Sequence, residues 1–522
     1  MTTPGKPGKL GEILLATSLI TPEQLSKAIA AQGQTGKRLG QVLVEQGAAS
    51  EDDVAWALSN QLMYPYIFLS GDIIDDEVVR LLPEEFLRER HVMPIHKFGQ
   101  QVTLAMADPT DQLTVDEVAG QTGLQVNRAV ALASNIEEML RTLTTRRDGG
   151  PRRHVRTAEA QYLQFHLAQA LQQAATEIHF DPTIEGQPRV RYRLQGVLVD
   201  RAGHPEEFHA GVVRQLRDLA GLGQASASQA TTTVRVGDVE ARAVVSVLAT
   251  TAGPAATMAL YPYRTGAPDL VPLGVDAQTT QALRRSLHGP HGALVIGCAD
   301  PTVRITLIRA ILPGATEGKV WSLETLPIYR DSAISQVVVG SPQEAVPLLH
   351  AACSTGGDLI AIDDASRVST LVSALEWSRV RHLVIGHPQD DVVGLLGQAL
   401  EAAGGAVTAS TLHAILAARP IRLLCPECKE RLRGSEAGDG RLTFTPRGCA
   451  ACSFTGFRGY RVLTEAWHVS PGDRLQLRAG PREAVFAHVG QVVGASMRGQ
   501  GQALVEDGLT SLEELSRVVE GA

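Results

Sequence analysis

The stretch His288–Leu312 reads HGPHGALVIGCADPTVRITLIRAIL and determines how the second half of the chain is expected to fold. Its apolar run Ala293–Ile296 predicts a buried strand, which Gly297 ends. Apolar residues then recur at helical spacing, which predicts a buried helix, at Ile305, Leu307, Ile308, Ala310 and Ile311. A strand, a glycine turn and a helix in this order form the usual setting of a phosphate-binding loop.

The loop itself departs from the phosphate-binding pattern G-x-x-x-x-G-K-[ST] at the positions that hold charge. Thr302 replaces the second glycine, Val303 replaces the lysine and Arg304 replaces the magnesium-binding Ser/Thr. Asp300 places a negative charge where a phosphate would be bound, and the proline after it removes a backbone donor. The stretch therefore predicts either an NTPase scaffold without its phosphate grip or an ordinary strand–helix unit that never bound nucleotide.

Length and composition restrict the class of protein. A chain of 522 residues predicts about three or four domains. The net charge of −8 argues against general attraction to nucleic acids or membranes, and the lack of an 18-residue apolar run predicts no transmembrane helix. Six cysteines, four of them in two C-x-x-C pairs, favour a reducing cytoplasm and a bound metal over disulfides.

An internal repeat occupies residues 9–32 and 38–61, with a shift of 29 positions between the copies. Each copy predicts a short helix, a break and a capped second helix. Helix packing explains the leucines, whereas a basic residue beside an exposed glycine can also hold a phosphate or stack on a base. The matched positions are Lys9 and Arg38, Leu10 and Leu39, Gly11 and Gly40, and Gln32 and Gln61.

Four cysteines form a second pattern near the C-terminus. The pairs Cys425-x-x-Cys428 and Cys449-x-x-Cys452 are separated by 20 residues, a spacing at which four thiolates can close a tetrahedral zinc site. Four cysteines leave no open coordination position, so the predicted zinc is structural. A redox pair and an unmetallated site are the alternatives.

The repeat is similar to the cyclic-di-GMP-binding N-terminal domain of type II secretion and type IV pilus assembly ATPases. In that family, two R-L-G-x-x-L-V-x-x-G motifs, each ending in L-x-x-Q, grip the two halves of the dinucleotide. The second copy here matches at all four positions given above, whereas Lys9 replaces the first arginine and Ser18 replaces a glycine. Lysine lacks the planar, bidentate guanidinium, which weakens the expected grip in that half.

The resemblance continues through nearly the whole chain. Ala175–Pro182 resembles the family's A-S-D-I-H-x-E-P, Arg191–Leu198 resembles R-Y-R-I-D-G-V-L, and the cysteine pairs have the family's flanking residues. Asp108, in a familiar M-A-D-P-T-D segment, is expected to cap a helix rather than to bind a ligand. The resemblance implies a multidomain α/β chain with an N-terminal α+β ligand domain at 1–144, a linker at 145–156, an α+β middle domain at 157–272, and a RecA-like parallel-sheet domain at 273–522 that includes a zinc module at 421–462 and closing helices at 466–522.

The ATPase boxes of the family are matched by position only. Glu324 survives in the acidic box. Asp364 occupies the position of the family's glutamate, with a side chain one methylene shorter, and Gln389 replaces a histidine. Two arginines that reach the nucleotide phosphates in the family are replaced within Ser228–Thr231 and Val244–Ser246. The surrounding hydrophobic pattern persists, as expected for a fold kept for packing or for partner binding.

The resemblance together with the joint loss of these residues predicts a pseudo-ATPase: a cyclic-di-GMP-responsive regulatory or structural subunit that is cytoplasmic and peripheral at the inner face of the cell membrane. Its implied partners are inner-membrane platform proteins of a pilus or secretion machine and either further copies in a hexamer or an active paralogous ATPase. Zinc and cyclic-di-GMP are the expected ligands, and the lost residues argue against ATP and magnesium.

Two alternatives stay open. The chain could hydrolyse ATP weakly through a rearranged site that uses Arg304, Asp363 and Asp364. A zinc-ribbon nucleic-acid adaptor is the third possibility, which the negative charge and the lack of an aromatic–basic patch disfavour.

Overall fold

A computed structural model gives the fold of the chain. The residues that the structure describes are 10–16, 20–49, 51, 54–55, 57–58, 64, 67, 69, 74–145, 158–184, 188–201, 206–223, 225, 227–236, 239–266, 268–312, 318–330, 333–431, 443–493 and 497–519. They belong to two compact units. The first unit comprises Met1–Pro262, Cys425–Cys428 and Arg447–Phe457, and the second comprises Tyr263–Leu424, Lys429–Pro446 and Arg458–Ala522.

The first unit contains a helical repeat, a three-stranded sheet and a six-stranded sheet. Its helices are α1 Leu10–Ala16, α2 Pro22–Thr35, α3 Leu39–Glu45, α4 Asp76–Val79, α5 Glu84–Arg90, α6 Gln112–Thr122, α7 Ala133–Thr145, α8 Ala158–Gln172 and α9 Glu206–Ala220. Its strands are β1 Val92–Phe98, β2 Gln101–Met106, β3 Gln125–Val130, β4 Glu177–Asp181, β5 Arg189–Leu194, β6 Val197–Arg201, β7 Ala227–Val236, β8 Val239–Thr250 and β9 Gly253–Pro262. The smaller sheet has the order β1-β2-β3, and the larger, antiparallel sheet has the order β6-β5-β4-β9-β8-β7.

The predicted capped helix of the first repeat is confirmed as α2. The Thr21 hydroxyl accepts the Gln24 N–H at 3.2 Å, and the Gln24 side chain accepts the Thr21 N–H at 2.7 Å, so the two residues form a capping box. Gly36 ends the helix with φ 67°, a left-handed conformation that glycine adopts at little cost.

The predicted cap at Asp108 is wrong. Asp111 begins α6 instead, since its carboxylate accepts the Thr114 N–H at 3.2 Å. Asp108 lies one turn earlier and accepts the Thr110 N–H at 3.0 Å and the Thr110 hydroxyl at 2.6 Å. The short turn between the two aspartates separates them, so only the second carboxylate reaches the first turn of the helix.

The second unit is built on a seven-stranded sheet of order β14-β12-β15-β16-β11-β17-β20, in which the pairings β11 with β16 and β17, β12 with β14 and β15, and β15 with β16 are parallel. Its strands are β10 Arg264–Thr265, β11 Gly292–Gly297, β12 Val320–Glu324, β13 Tyr329–Arg330, β14 Ser335–Val338, β15 Leu359–Ile362, β16 His382–His387, β17 Leu412–Leu424, β18 Glu430–Arg431, β19 Phe444–Thr445 and β20 Phe457–His468. Its helices are α10 Leu270–Leu273, α11 Ala277–Ser286, α12 Pro301–Ile311, α13 Ala345–Ser354, α14 Val368–Trp377, α15 Val392–Thr411, α16 Pro471–Ala479, α17 Arg482–Val492, α18 Met497–Glu506 and α19 Leu512–Val519.

The predicted strand and helix of the opening stretch are confirmed. Every residue of β11 is buried, and so is every residue of α12 from Val303 to Ile311. A strand buried on both faces is expected in a parallel sheet covered by helices. The predicted multidomain α/β architecture with a parallel-sheet core is therefore confirmed, while its domain boundaries remain predictions and the predicted linker lies outside the described residues beyond Thr145.

Helix α15 is, within the described ranges, the one helix whose length and composition would allow it to cross a membrane. Its residues Leu395, Leu396, Ala399 and Leu400 belong to the hydrophobic core of the second unit. Gly404 breaks the helical backbone with φ 74° and ψ 166°.

The close packing at the end of β11 gives a stability prediction. A Cβ atom at Gly297 would overlap the Gln389 carbonyl oxygen and the Leu395 side chain. We expect Gly297→Ala to lower the free energy of unfolding of this unit by about 1–3 kcal/mol, the usual cost of overpacking. The measurement is thermal unfolding of the purified chain.

The control is Gly490→Ala in α17, where a Cβ atom would meet nothing within 4 Å. An alanine there is expected to be neutral or to stabilise the helix by up to about 1 kcal/mol. Equal melting temperatures for the two variants would contradict the packing argument.

Candidate functional site

An aspartate in the loop between β11 and α12 caps the helix that follows. Asp300 is the N-cap of α12, and its Oδ1 accepts the N–H groups of Thr302 at 2.8 Å and Val303 at 3.0 Å. These first N–H groups of a helix are the donors that bind phosphate in a phosphate-binding loop. In this chain a carboxylate already accepts two of them, in the first turn where negative charge is most favourable.

The lysine position of the motif faces the protein interior. The Val303 side chain is buried in the hydrophobic core cluster that also contains Leu294, Ile296 and Leu307. An apolar side chain packed there supplies no cation to the loop. The residue that sequence reasoning placed in the degenerate loop is thus a core residue of α12.

Arg304 is buried beneath the loop with only 3% of its surface exposed. Its guanidinium donates to the Cys298 carbonyl at 2.7 Å, to the Asp363 carbonyl at 2.7 Å and to the Asp364 carboxylate at 3.1 Å. The cation is therefore satisfied by the chain itself, at the position where the motif would carry a magnesium-binding hydroxyl.

The two aspartates after β15 play different parts. Asp364 pairs with Arg304, while Asp363 accepts the Thr325 N–H at 2.9 Å and the Thr325 hydroxyl at 2.8 Å. Burial raises the pKa of Asp363, against the effect of these donors. The structure thus brings Arg304, Asp363 and Asp364 together, as the rearranged-site alternative requires.

Glu324, the surviving acid of the predicted acidic box, is fully buried and contacts a few polar side chains. Ser322 and Gln336 donate to its carboxylate at 2.5 and 3.1 Å, and the Arg309 Nε lies 3.7 Å from it. Burial raises the pKa of Glu324, and the nearby Arg309 acts in the opposite direction.

Arg309 is the residue that sequence reasoning missed in this region. It lies on the buried face of α12, five residues after Arg304, and 1% of its surface is exposed. An arginine within an otherwise apolar helical stretch was the available signal, because a buried charge requires a partner.

Gln389 lies beside the loop but outside this charge network. Its N–H donates to His387 Nδ1 at 3.1 Å, and its side-chain amide donates to Asp391, the N-cap of α15. The His387 carbonyl in turn accepts the Cys298 N–H at 3.0 Å. Burial lowers the pKa of His387 and raises that of the Cys298 thiol to about 12, so both side chains are neutral at pH 7.

The two copies of the N-terminal repeat face each other. A Cβ atom at Gly11 would lie 3.4 Å from the Leu39 side chain, and one at Gly40 would lie 3.5 Å from the Leu10 side chain. A Cβ atom at Gly11 would also lie 2.8 Å from the Leu25 side chain, and one at Gly40 would lie 2.6 Å from the Val54 side chain. The recurring glycines thus have a packing role, and the leucine–glycine pairs of the two copies form a reciprocal contact.

The polar residues of the repeat are only partly described. Arg38 is the N-cap of α3, its side chain is 62% exposed, and it forms an ion pair with Asp108. Gln32 lies in the last turn of α2. Lys9, Ser18 and Gln61 lie outside the described residues.

The two positions where family arginines are replaced are neighbours in the six-stranded sheet. Thr231 of β7 and Val244 of β8 are direct cross-strand partners in the antiparallel register. Directly paired residues of adjacent strands place their side chains on the same face. The structure therefore brings the two segments together, with a hydroxyl and an isopropyl group at the matched positions.

The four cysteines form one compact cluster. Their sulfur atoms all lie within 4.8 Å of one another, and the Cys425–Cys449, Cys428–Cys452 and Cys449–Cys452 pairs are separated by 3.8, 3.7 and 3.8 Å. None of the four is in a disulfide. Within the described part of the chain, this is the one group of His, Cys, Asp and Glu side chains whose ligand atoms are close enough for a shared metal ion.

Backbone N–H groups surround these sulfur atoms. Gly448 donates to Cys428 at 3.3 Å, and the N–H groups of Cys449 and Gly456 donate to Cys452 at 3.2 and 3.3 Å. These two donors hold the pKa of Cys452 below its ordinary value although burial opposes them. Burial raises the pKa of Cys428, and it raises that of Cys449 to about 12.

Two family models match the chain. The model described as the MshEN domain matches residues 62–150, directly after the repeat, and the model described as type II/IV secretion system protein matches residues 377–517. The second match contains all four cysteines and the strands that flank them.

Relatives extend the match over almost the full length. The type IV pilus assembly ATPase PilB of Myxococcus xanthus is 26% identical, with 97% of this chain and 98% of the relative aligned. The type II secretion system protein E of Xanthomonas campestris pv. campestris is 25% identical, with 98% and 99% aligned.

A solved structure agrees on the fold. The ATPase DotB of Legionella pneumophila has a TM-score of 0.51 and 15% identity, and the likeness covers 72% of this chain and 98% of that one. The chain thus matches the MshEN domain at residues 62–150 and the type II/IV secretion system protein model at residues 377–517, and its end-to-end relatives are named as a type IV pilus assembly ATPase and a type II secretion system protein.

Proposed function

We propose that this chain is a non-hydrolysing member of the family of type II secretion and type IV pilus assembly ATPases, and that it responds to cyclic-di-GMP as a regulatory or structural subunit of a pilus or secretion machine. The observation that carries the proposal is the Asp300 carboxylate bound to the first N–H groups of α12. An anion that is covalently part of the loop competes with any incoming phosphate at high local concentration.

The charges around the loop support the same conclusion. Triphosphate chemistry needs cations and donors aimed at developing negative charge, and removing one such donor typically costs about 10²–10³ in rate. Here Val303 is apolar, and Arg304 is bound to the Cys298 and Asp363 carbonyls and to the Asp364 carboxylate. Glu324 is buried beside Arg309. Arg304 and Glu324 thus have partners within the chain and need neither nucleotide nor magnesium to satisfy their charges.

The alternative function is weak ATP hydrolysis through a rearranged site of Arg304, Asp363 and Asp364. Their proximity favours it, and it requires the guanidinium to leave its present partners and face a phosphate. Breaking a buried ion pair is costly, because it leaves an uncompensated charge in the interior. The two functions differ in whether magnesium–ATP binds at all.

Calorimetry with ATP and magnesium separates them. We expect no binding heat at millimolar nucleotide, since the loop donors and the buried cation are already satisfied. We also expect ATP turnover at background level, with the same rate in the Asp364→Ala variant. Turnover above background that Asp364→Ala abolishes would refute the pseudo-ATPase proposal, and tight magnesium-dependent binding would favour the rearranged site.

The cyclic-di-GMP part of the proposal is supported by the repeat. Cyclic-di-GMP consists of two identical halves, and the contacts Leu10–Gly40 and Leu39–Gly11 relate the two copies reciprocally. The exposed Arg38 offers a guanidinium to an anionic ligand. The adjacent MshEN match is consistent with a ligand domain in this part of the chain.

Titration of the purified chain with cyclic-di-GMP tests this part. Arg38→Ala is expected to weaken binding about tenfold or more, because a charge-assisted hydrogen bond contributes roughly 1.5–3 kcal/mol. Lys9→Arg is expected to strengthen binding, since it restores a bidentate donor. The control is Arg80→Ala, which removes the same charge from an exposed position after α4.

Arg80→Ala should leave the affinity unchanged. If all three variants bind as the parent chain does, the ligand is absent or held elsewhere. This outcome would leave the ATP proposal standing, because the two parts of the proposal rest on different residues.

We further propose that the cysteine cluster holds one structural zinc ion, with Cys425, Cys428, Cys449 and Cys452 as ligands. A tetrahedral site with Zn–S bonds of about 2.3 Å has sulfur–sulfur separations of about 3.8 Å. Three of the six sulfur pairs in the cluster are 3.7–3.8 Å apart, and all four sulfur atoms lie within 4.8 Å of one another. The N–H groups that donate to Cys428 and Cys452 would stabilise bound thiolates.

Elemental analysis of the purified chain tests the metal. We expect about one zinc per chain, and a large loss of zinc and of thermal stability in Cys428→Ser, because three thiolates leave the tetrahedron incomplete. The control is Cys353→Ser, a buried free cysteine outside the cluster, which should keep the metal. A chain that carries no metal, or carries iron instead, would contradict the zinc proposal.

The proposed place of action is the cytoplasmic face of the inner membrane, on platform proteins of the machine. Relatives named as pilus assembly and secretion proteins that align from end to end support it. A subunit without ATP turnover would act in a ring of its own or beside an active paralogous ATPase.

A further inference from the structure

Four histidines lie at the end of the seven-stranded sheet opposite to the loop that Asp300 caps. His288 and His291 come just before β11, His382 is the first residue of β16, and His413 is the second residue of β17. These strands are parallel neighbours, with Gly292 paired with His382 and Ala293 paired with Leu412. We call these four residues the histidine cluster.

The cluster joins the sheet to the end of α11. The His291 and His382 rings are 5.1 Å apart with an interplanar angle of 66°. His413 Nδ1 lies 3.2 Å from the Ser286 carbonyl, and His288 Nδ1 lies 2.9 Å from the Arg284 carbonyl. Both carbonyls belong to the last turn of α11, so imidazole rings bridge this helix end and the strands.

Gly292 allows this packing. A Cβ atom at Gly292 would overlap the His413 ring and would lie 2.6 Å from the Thr411 carbonyl. The His413 ring therefore lies directly against the backbone at the start of β11, with little room to move away from a new charge.

The charged or titratable side chains that shift the pKa of the two inner rings, His382 and His413, are all bases, whereas backbone hydrogen bonds act in the opposite direction. The charges of His291, His413 and His288 lower the pKa of His382, and a hydrogen bond with the Gly289 backbone raises it. Arg474 of α16 lowers the pKa of His413, and the hydrogen bond with the Ser286 carbonyl raises it. In addition, the Nδ1 atom of His382 is buried and makes no hydrogen bond. A proton added to that atom would have no acceptor, and the new charge would meet other cations.

We propose that the histidine cluster is an acid-sensitive joint, which holds α11 and the 288–291 turn against the sheet at neutral pH and releases them as the pH falls below about 6.5. The proposal is independent of nucleotide, cyclic-di-GMP and zinc.

Proton linkage gives the direction in which pH shifts the balance between the open and closed states of the joint. Burial lowers the pKa of His382 and of His413, and neighbouring bases lower it further. An opened joint returns each ring to an ordinary pKa of about 6.5, so the open state binds more protons below that pH. The closed state is therefore fully favoured above about pH 7.5. Between pH 7.5 and 5.5 each ring can raise the open-to-closed ratio up to about tenfold.

Hydrogen exchange of the full chain, read by mass spectrometry, tests the joint. Wild-type protein is compared with His382→Phe and with His413→Gln at the same pH, so that the intrinsic pH dependence of exchange cancels. His382→Phe keeps a ring beside His291 without a titrating nitrogen. In peptides that cover 280–297, we expect equal exchange at pH 7.5 and, at pH 5.5, up to about tenfold faster exchange in wild type than in either variant.

His350→Gln is the matched control, because His350 lies on α13 and contacts Ser373 and Trp377 instead of the cluster. It should retain the wild-type acid response in 280–297. If His382→Phe is already loosened at pH 7.5, His413→Gln alone decides the result. Equal exchange of wild type and His413→Gln at pH 5.5 would overturn the proposal.

Discussion

The hydrogen bonds from the first N–H groups of α12 to the Asp300 carboxylate are the constraint on which the second unit depends. A helix that starts at the edge of a parallel sheet exposes donors that must be satisfied. In a nucleotide-binding member of such a fold, a phosphate satisfies them. Here the side chain that precedes the helix does so, and the helix end is complete without a ligand.

The same principle governs the charges further inside. Arg304 and Arg309 lie on one buried helix, and each is matched by acid from a neighbouring strand end, Asp364 for the first and Glu324 for the second. Buried charges persist only when they are paired. Asp364 and Glu324, two acids of the predicted boxes, thus pair with arginines of the chain itself.

The two other proposed ligand sites have a regular geometry. The repeat brings its two leucine–glycine pairs into reciprocal contact, and three of the sulfur pairs in the cysteine cluster have the separation expected in a zinc tetrahedron. Both sites lie apart in sequence from the altered loop.

Local patterns in the sequence were sufficient for β11, α12, the capped helix α2 and the proximity of the cysteines, because periodicity, capping and pair spacing depend on residues a few positions apart. They were insufficient for Asp108, which was expected to cap a helix and instead pairs with Arg38. Contacts such as Arg304–Asp364 and Thr231–Val244 join residues that only the strand order brings together. The sequence alone determined the elements and the missing phosphate ligands, whereas the tertiary structure decided which internal group now satisfies each charge.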